Sequence, residues 1–156
     1  MSGDGSKRGP EHGVDGNKKV KGRKRHLIVD VLGLVVSCFV SAANVADVKA
    51  APVVLVPALE NNPRLVKILA DQGYRGAIAV VLQMAYDCTL ELTEKLGQGF
   101  VVEPWRWVVE RTFAWLENAR RLCRDYEELP EHHEGFIYLT MIRLMLRQLT
   151  QNQRTR

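Results

Sequence analysis

The chain has 156 residues, of which 46% are hydrophobic, so it can bury the core of one ordinary domain. Its 22 Lys and Arg against 18 Asp and Glu leave a net charge of +4, which is modest overall but unevenly distributed. Apolar runs such as Leu27 to Val40 are interrupted by polar residues, whereas a membrane span needs roughly 20 mostly apolar residues. The composition therefore argues against disorder throughout and against a membrane protein.

The sequence also predicts a cytoplasmic location. Residues 1–24 are charged and rich in glycine, where a secretory leader would carry an apolar stretch. The three cysteines, Cys38, Cys88 and Cys123, are isolated, and none belongs to a spacing typical of zinc ligands. We therefore expect reduced thiols.

The first part of the chain predicts an arm followed by two strands. Residues 1–17 contain little that is apolar and read as a flexible arm. The apolar residues from Leu27 to Val31, then Gly33, then Leu34 to Val40 predict a strand, a tight turn and a second strand.

Alternating strands and helices are predicted next. A helix is expected within Asn44 to Pro63, with Pro52 and Pro57 limiting its length, and Leu65 to Ala70 resembles a buried strand. Further elements follow as a helix over 77–86, an edge-type strand over 89–93 and a short strand over 100–102. This alternation favours an α/β fold.

Helices are predicted for the rest of the chain. The apolar spacing indicates one long helix from Trp105 to about Leu129 and a last helix over about Glu134 to Gln148, with a polar tail at 150–156. The last helix is apolar over more than half its girth, which predicts packing on both sides.

Two acidic residues are candidates for metal chemistry. Asp71 ends a predicted strand beside a glycine-containing turn, and Glu110 lies one helical turn after Arg106. Carboxylate oxygens are the ligands that Mg²⁺ prefers, and two such ions can activate a nucleophile for phosphodiester chemistry. On spacing alone two other roles remain open, since a strand-end Asp is often a turn former and Glu110 can pair with Arg106.

A basic segment between Lys18 and Arg25 is a candidate for DNA contact. Six cations fall within these eight residues, which exceeds what solubility requires, although charge runs are often only solvated loops. The candidate nucleic-acid contacts are Lys18, Lys19, Lys21, Arg23, Lys24 and Arg25.

Several motifs together resemble a known family. Residues 16–26 followed by 29–34, then residues 70–74, 106–116, 129–130 and 141–146, resemble in order the motifs of bacterial transposases of the insertion sequence four/five group. The resemblance runs from about Val14 to Leu149.

This resemblance implies an α/β, ribonuclease-H-like mixed sheet with flanking helices, spanning residues 18–149. It also implies a site of two Asp and one Glu that holds Mg²⁺ or Mn²⁺, at which water and then a DNA 3′-hydroxyl attack phosphodiesters. The second Asp corresponds to Asp71, the Glu to Glu110 and an associated Arg to Arg106. The implied partner is double-stranded DNA, both terminal inverted repeats and target, in the nucleoid.

The family's first Asp, on a strand upstream of the basic segment, is not found in this sequence. Residues 1–12 offer no apolar strand, and Asp4 stands in a glycine-rich context. We therefore expect a fold incomplete at its N-terminus, weak metal binding, and a truncated chain that is inactive alone. The alternative is a non-catalytic DNA-binding or dimerising fragment that modulates an intact transposase, as a homodimer or by association with it. A ribosomal-type RNA binder is disfavoured because it leaves Asp71 and Glu110 unexplained.

Overall fold

The computed structural model describes residues 12–14, 16, 19, 21–93 and 105–154, with the side chains of 152–154 left out. These residues form strands and helices in alternation, so the predicted α/β class is confirmed. The strands are β1 (Gly13–Val14), β2 (Lys21–Val29), β3 (Val35–Ala42), β4 (Lys67–Ala70) and β5 (Thr89–Leu92). The helices are α1 (Asp47–Asn61), α2 (Ile78–Tyr86), α3 (Arg106–Glu117) and α4 (Pro130–Arg154), with a 3₁₀ turn at Gln72–Tyr74.

Strand β2 begins earlier than its apolar residues predict. It pairs with β3 in antiparallel register from Arg23 opposite Ala42 to Val29 opposite Val35, so the basic segment is itself part of the sheet. At Lys21 and Gly22 it also pairs with β1, whose two residues fall within the predicted arm. The backbone ladder with β3 thus extends the strand into residues whose side chains are charged.

The second sheet consists of β4 and β5, which pair in parallel register from Lys67 opposite Thr89 to Ala70 opposite Leu92. Helix α2 provides the crossover between them, as parallel neighbours require. The predicted strand before Asp71, the helix after it and the strand near Thr89 are all confirmed. The predicted strand at 100–102 lies outside the described residues.

Helix α1 contains both prolines that were expected to limit it. It runs for 15 residues and includes Pro52 and Pro57. Both prolines are exposed, whereas Val54, Leu55 and Leu59 on the opposite face are almost fully buried. The predicted helix is confirmed, and the prolines do not limit it as expected, because tertiary burial of this face offsets their local cost.

Two apolar clusters lie on opposite faces of the β2–β3 sheet. The first joins α1 and α2 to both sheets through residues such as Leu55, Ile68 and Leu82, with Ile28 and Phe39 packed against it. The second joins β3 to α3, α4 and the segment between these helices, through residues such as Val40, Leu116 and Ile137. The antiparallel sheet therefore lies between two helical layers.

The long helix predicted from Trp105 to Leu129 is wrong. Helix α3 ends at Glu117, and residues 118–125 form turns. Arginine side chains from β2 donate to carbonyl oxygens between α3 and α4, at Leu122, Glu127 and Glu128. These long-range hydrogen bonds satisfy carbonyls that a continuing helix would otherwise use.

Helix α4 is longer than predicted at both ends and is covered on one face. It begins at Pro130, which is favoured in the first turn of a helix, and runs for 25 residues into the predicted polar tail. Ile137 and Met141 are buried in the second cluster. An opposite stripe of four residues is exposed, so the described part of the chain does not show the expected packing on both sides. The stripe consists of Leu139, Ile142, Leu146 and Leu149. No helix among the described residues is long and apolar enough to span a bilayer.

The turn between β2 and β3 attaches α3 to the sheet. The Asp30 carboxylate accepts from the backbone N–H groups of Leu32 and Leu34, at 2.9 and 2.8 Å. The Thr112 hydroxyl donates to Gly33 O at 2.7 Å, and Arg111 Nη2 donates to Leu32 O at 2.8 Å. This turn therefore sets the position of the helix that carries Glu110.

We predict that Gly33→Ala lowers the free energy of unfolding by about 1–3 kcal/mol, measured by urea denaturation. Gly33 has a φ of +82°, and an added Cβ would lie 2.9 Å from Thr112 Oγ1. The control is Gly135→Ala in α4, where an added Cβ meets nothing within 4 Å. That change should raise stability by about 0.5–1 kcal/mol. Equal stability of the Gly33 variant and the unmodified chain would contradict the role given to this turn.

Candidate functional site

Asp71 stands at the carboxyl end of β4, where the chain leaves the parallel pair. Asp71 is exposed, and its Oδ1 accepts a hydrogen bond from the N–H of Gly73 at 2.9 Å, which caps the 3₁₀ turn. The turn-forming role left open by the sequence is therefore present. Because a carboxylate has about four acceptor positions, this single bond leaves it able to bind a cation.

A second carboxylate and two aromatic groups surround the same turn. A Cβ added at Gly73 would lie 2.9 Å from Asp47 Oδ2 and 3.0 Å from Asp71 Oδ1, so glycine allows both carboxylates to approach the turn. The Tyr74 hydroxyl lies 3.2 Å from Nδ1 of the buried His26. Burial and the nearby charges of Asp47 and Asp71 raise the pKa of Tyr74 to about 12. Tyr74 therefore stays protonated at neutral pH.

Glu110 lies on the exposed side of α3. Its Oε1 accepts from Nε of Arg106 at 3.1 Å, and both side chains are about two-thirds exposed. An exposed pair of this kind, four residues apart on a helix, contributes only about 0.3–0.5 kcal/mol. The pair predicted from the spacing is present, and it is weak enough to leave Glu110 available to a cation.

Asp71 and Glu110 are attached to different sheets. Asp71 follows β4, whereas α3 is held to the β2–β3 turn by Thr112 and Arg111. Their carboxylate oxygens fit Mg²⁺ or Mn²⁺ by donor type. Within the described ranges, however, no group of three or more His, Cys, Asp and Glu is placed to hold a metal ion. The two predicted ligands fit the metal chemically but form an incomplete set.

The arginines of the basic segment point into the protein. The Arg23 side chain is 2% exposed and its Nη1 lies 3.3 Å from Asp125 Oδ1 and 2.8 Å from Glu127 O. Arg25 Nη2 donates to Leu122 O at 2.6 Å, and burial lowers the pKa of Arg25. The structure therefore engages both guanidinium groups in contacts within the chain.

The lysines differ in exposure. Lys19 and Lys21 are exposed, and Lys24 Nζ lies 3.6 Å from Asp47 Oδ1 and donates to Val45 O at 3.2 Å. Lys18 lies outside the described residues. Two of the predicted nucleic-acid contacts thus face solvent: Lys21 on β2, the strand that also carries Arg23 and Arg25, and Lys19 just before that strand.

Sequence reasoning missed a stack of side chains on α3. The Arg111 guanidinium lies 4.4 Å from the ring centre of Trp107 and 4.7 Å from that of Trp115. Residues four apart lie on one face of a helix, so the spacing of these three residues could have indicated the stack. Its effect is to hold the guanidinium where it reaches Leu32 O.

His133 is also a finding of the structure. It is buried, and its Nδ1 lies 3.1 Å from Asp125 Oδ1. Its Nε2 is buried with no hydrogen-bond partner among the described residues. Burial and the nearby Arg25 lower the pKa of His133, although Asp125 opposes this shift. A proton on Nε2 would have no acceptor there.

Comparison with known families decides what kind of protein this is. Two family descriptions, each "Transposase DDE domain", match residues 2–86 and 68–147, and each match covers more than half of the chain. The chain belongs to the DDE transposase family. Asp71 falls in the stretch common to both matches, and Glu110 falls in the second.

A curated relative supports the same membership for this DDE transposase chain. This chain is 29% identical over 138 residues to the "Putative transposase for insertion sequence element IS402" of Burkholderia cepacia. The alignment covers 76% of this chain and 60% of the relative, so the chain spans less than two-thirds of that protein's length. No solved structure matches the chain significantly.

We predict that this transposase chain loses stability as the pH falls below about 6.5, the ordinary pKa of histidine. The pKa values of His26 and His133 are lowered in the folded state, so the unfolded state binds protons first. The stabilisation is complete above the unfolded pKa and is lost as the pH falls through the folded pKa values. Urea denaturation across this range measures the decline.

The matched variants are His133→Asn and His132→Asn, because these neighbours differ in burial. His133→Asn should make the decline shallower, and His132→Asn should leave it unchanged. A slope that is the same in all three proteins would show that His133 does not contribute.

Proposed function

We propose that this chain supplies Asp71 and Glu110 to a DNA-cutting and strand-transfer site that moves an insertion sequence. The observation that carries the proposal is the exposed Asp71 carboxylate at the end of β4, within the stretch that both family matches share. Carboxyl ends of parallel strands are the usual position of ligand-binding groups in α/β folds. Glu110 is the second carboxylate, in the matched helix α3.

In this proposal the two carboxylates hold Mg²⁺ or Mn²⁺, which supplies activation of the attacking oxygen and neutralisation of charge on the phosphate. Water attacks a phosphodiester and releases a 3′-hydroxyl, which then attacks target DNA while the displaced 3′-oxygen leaves. Arg106 keeps Glu110 paired before the cation binds and is then available to a DNA phosphate, because the exposed pair is weak.

A third carboxylate must complete this set, and we propose that it arrives on an additional strand. Strand β2 pairs with β3 along one edge, and β1 reaches its other edge only at Lys21 and Gly22. Strand β4 pairs with β5, and no strand among the described residues joins β4 to β2. Since α1 packs against both sheets, a strand between them would make one ribonuclease-H-like mixed sheet.

We further propose that the chain alone holds metal weakly and is inactive. We do not assign Asp4 as the third carboxylate, because its glycine-rich context is unlike a strand; it lies outside the described residues. The family match nevertheless begins at residue 2 and includes Asp4. Asp4→Asn therefore tests the proposed inactivity of the chain separately from the proposed carboxylate chemistry. Cleavage by the chain alone that Asp4→Asn abolishes would refute inactivity while supporting the chemistry.

A second candidate function is a non-catalytic fragment that binds DNA or an intact transposase in the nucleoid. The exposed stripe of Leu139, Ile142, Leu146 and Leu149 on α4 favours it, because contiguous exposed apolar surface often marks an association site. Such a fragment would inhibit an intact transposase and would not cleave when complemented.

We predict that the chain, mixed with the separately made N-terminal part of an intact insertion-sequence transposase, cleaves duplexes carrying element ends when Mg²⁺ or Mn²⁺ is present. Asp71→Asn and Glu110→Gln should each reduce the rate by about 10²–10³-fold, since each removes a preorganised charge. The controls are Asp87→Asn and Glu117→Gln, exposed acidic residues of α2's C-cap and of α3. Equal loss in variants and controls would contradict the assignment.

We predict that Lys19 and Lys21 contact DNA phosphates. Replacing both by alanine should weaken binding to any duplex and should lower the slope of log affinity against log salt by about one per lost contact. Lys49, an exposed lysine on α1, provides the control. Binding titrations at several salt concentrations make the measurement, and an unchanged slope in the double variant would exclude these two lysines.

A further inference from the structure

We propose that His26 and Tyr74 are positioning residues for Asp71, joined in a hydrogen-bonded relay that holds the Asp71 turn against strand β2. The relay runs from Ser41 on β3 through His26 on β2 to Tyr74. The catalytic consequence rests on the proposed function of Asp71, whereas the relay itself rests only on the geometry of the fold.

The direction of the hydrogen bonds in the relay follows from its first member, Ser41. The Ser41 hydroxyl donates to Ala42 O at 3.2 Å, so its oxygen accepts from Nε2 of His26 at 3.0 Å. In a neutral imidazole the other nitrogen, Nδ1, is then an acceptor, and the Tyr74 hydroxyl donates to it at 3.2 Å. Each member satisfies the next, and His26 and Ser41 are buried.

The His26 ring is held in a fixed position by its neighbours. Its ring stacks on Phe39, with centroids 5.9 Å apart and an interplanar angle of 24°. Its backbone pairs with the same Phe39 in the β2–β3 ladder. The acceptor offered to Tyr74 therefore belongs to a side chain that is held by packing as well as by hydrogen bonds.

The Asp71 turn is held by the Tyr74 ring, which packs against the first apolar cluster, and by hydrogen bonds on two sides. The 3₁₀ turn of Gln72–Tyr74 contains no buried residue. On the β5 side, Gln72 Nε2 donates to Thr93 O at 2.8 Å. On the β2 side, Tyr74 reaches His26, and Tyr74 N donates to Asp71 O at 3.2 Å. Asp71 thus precedes a short turn that is attached to one sheet by Gln72 and to the other by Tyr74.

Asp47 lies beside this arrangement and pairs with Lys24, not with the unprotonated Nδ1 of His26. Its Oδ1 lies 3.9 Å from His26 Nδ1 and 3.6 Å from Lys24 Nζ. Its other oxygen faces Gly73, as the close approach to that glycine shows. Lys24 offsets the negative charge of Asp47 beside the Asp71 carboxylate, so the two carboxylates can lie on either side of one turn.

The test is amide hydrogen exchange of the full chain, read at Gly73, whose N–H donates to Asp71 Oδ1. Tyr74→Phe removes only the hydroxyl, and His26→Phe retains an aromatic ring without the nitrogens. Each should speed exchange at Gly73 roughly two- to tenfold relative to Ala58 in the core, the effect of one lost hydrogen bond. Tyr86→Phe, in a tyrosine packed against the same apolar cluster, is the matched control.

The double variant Tyr74→Phe with His26→Phe should exchange at Gly73 no faster than the more affected single variant, because the bond between Tyr74 and His26, the one that reaches the turn, is lost in all three. A Gly73 rate in Tyr74→Phe equal to that in Tyr86→Phe would overturn the relay. So would an equal acceleration at Ala58, which would indicate general destabilisation.

A second readout follows Mn²⁺ broadening of the Asp71 resonance, and the midpoint should move to higher Mn²⁺ in Tyr74→Phe by a similar factor. An unchanged midpoint would overturn the positioning role even if exchange is faster. Neither measurement requires cleavage. Failure of the complemented assembly to cut DNA would therefore refute the proposed function, whereas the relay is tested by these two measurements alone.

Discussion

The alternation of charged side chains along β2 is the constraint on which the rest of the structure depends. Successive residues of a strand point to opposite faces of the sheet. Arg23 and Arg25 therefore reach the segment between α3 and α4, whereas Lys24 and His26 reach α1 and the Asp71 turn. One strand thus fastens the helical layers on both sides of the sheet.

Burying these groups is costly unless each finds a partner, and the partners here are specific. Arg23 donates to Asp125 and to two backbone carbonyls, and Asp125 is also hydrogen-bonded to Nδ1 of His133. Removing one member of a buried pair typically costs about 3–5 kcal/mol, because the other charge remains without compensation. The β2 arginines therefore hold the chain between Leu122 and Glu128 in a conformation that its own helical spacing does not favour.

The same strand relates the two parts of the candidate site. Asp71 lies before a turn whose Tyr74 bonds to His26, and Glu110 lies on a helix attached to the turn that follows β2. Neither attachment uses the candidate ligands themselves. Asp71 and Glu110 consequently remain exposed and accept local hydrogen bonds from Gly73 and Arg106, while the protein around them is held by buried contacts. In this DDE transposase chain, the contacts that stabilise the fold are therefore made by residues other than the two candidate metal ligands.

Local signals in the sequence were sufficient where packing agreed with them. The strand before Asp71, the helix from Ile78 and the pairing of Arg106 with Glu110 follow from period, turn residues and four-residue spacing. The motifs likewise indicated the family to which the matches assign the chain. The sequence could not reveal that α1 passes through Pro52 and Pro57, or that α3 stops at Glu117, since both depend on distant contacts.

The sequence by itself determined the elements whose periodicity is local, the family, and the residue types available for metal and DNA. Only the tertiary structure decided which cations of the basic segment face solvent and which are buried. It also decided that His26 lies beside Tyr74, 48 residues away. The physical reason is that composition counts lysines and arginines alike, whereas exposure depends on which distant segment packs against each position of the strand, as residues 122–128 do against Arg23 and Arg25.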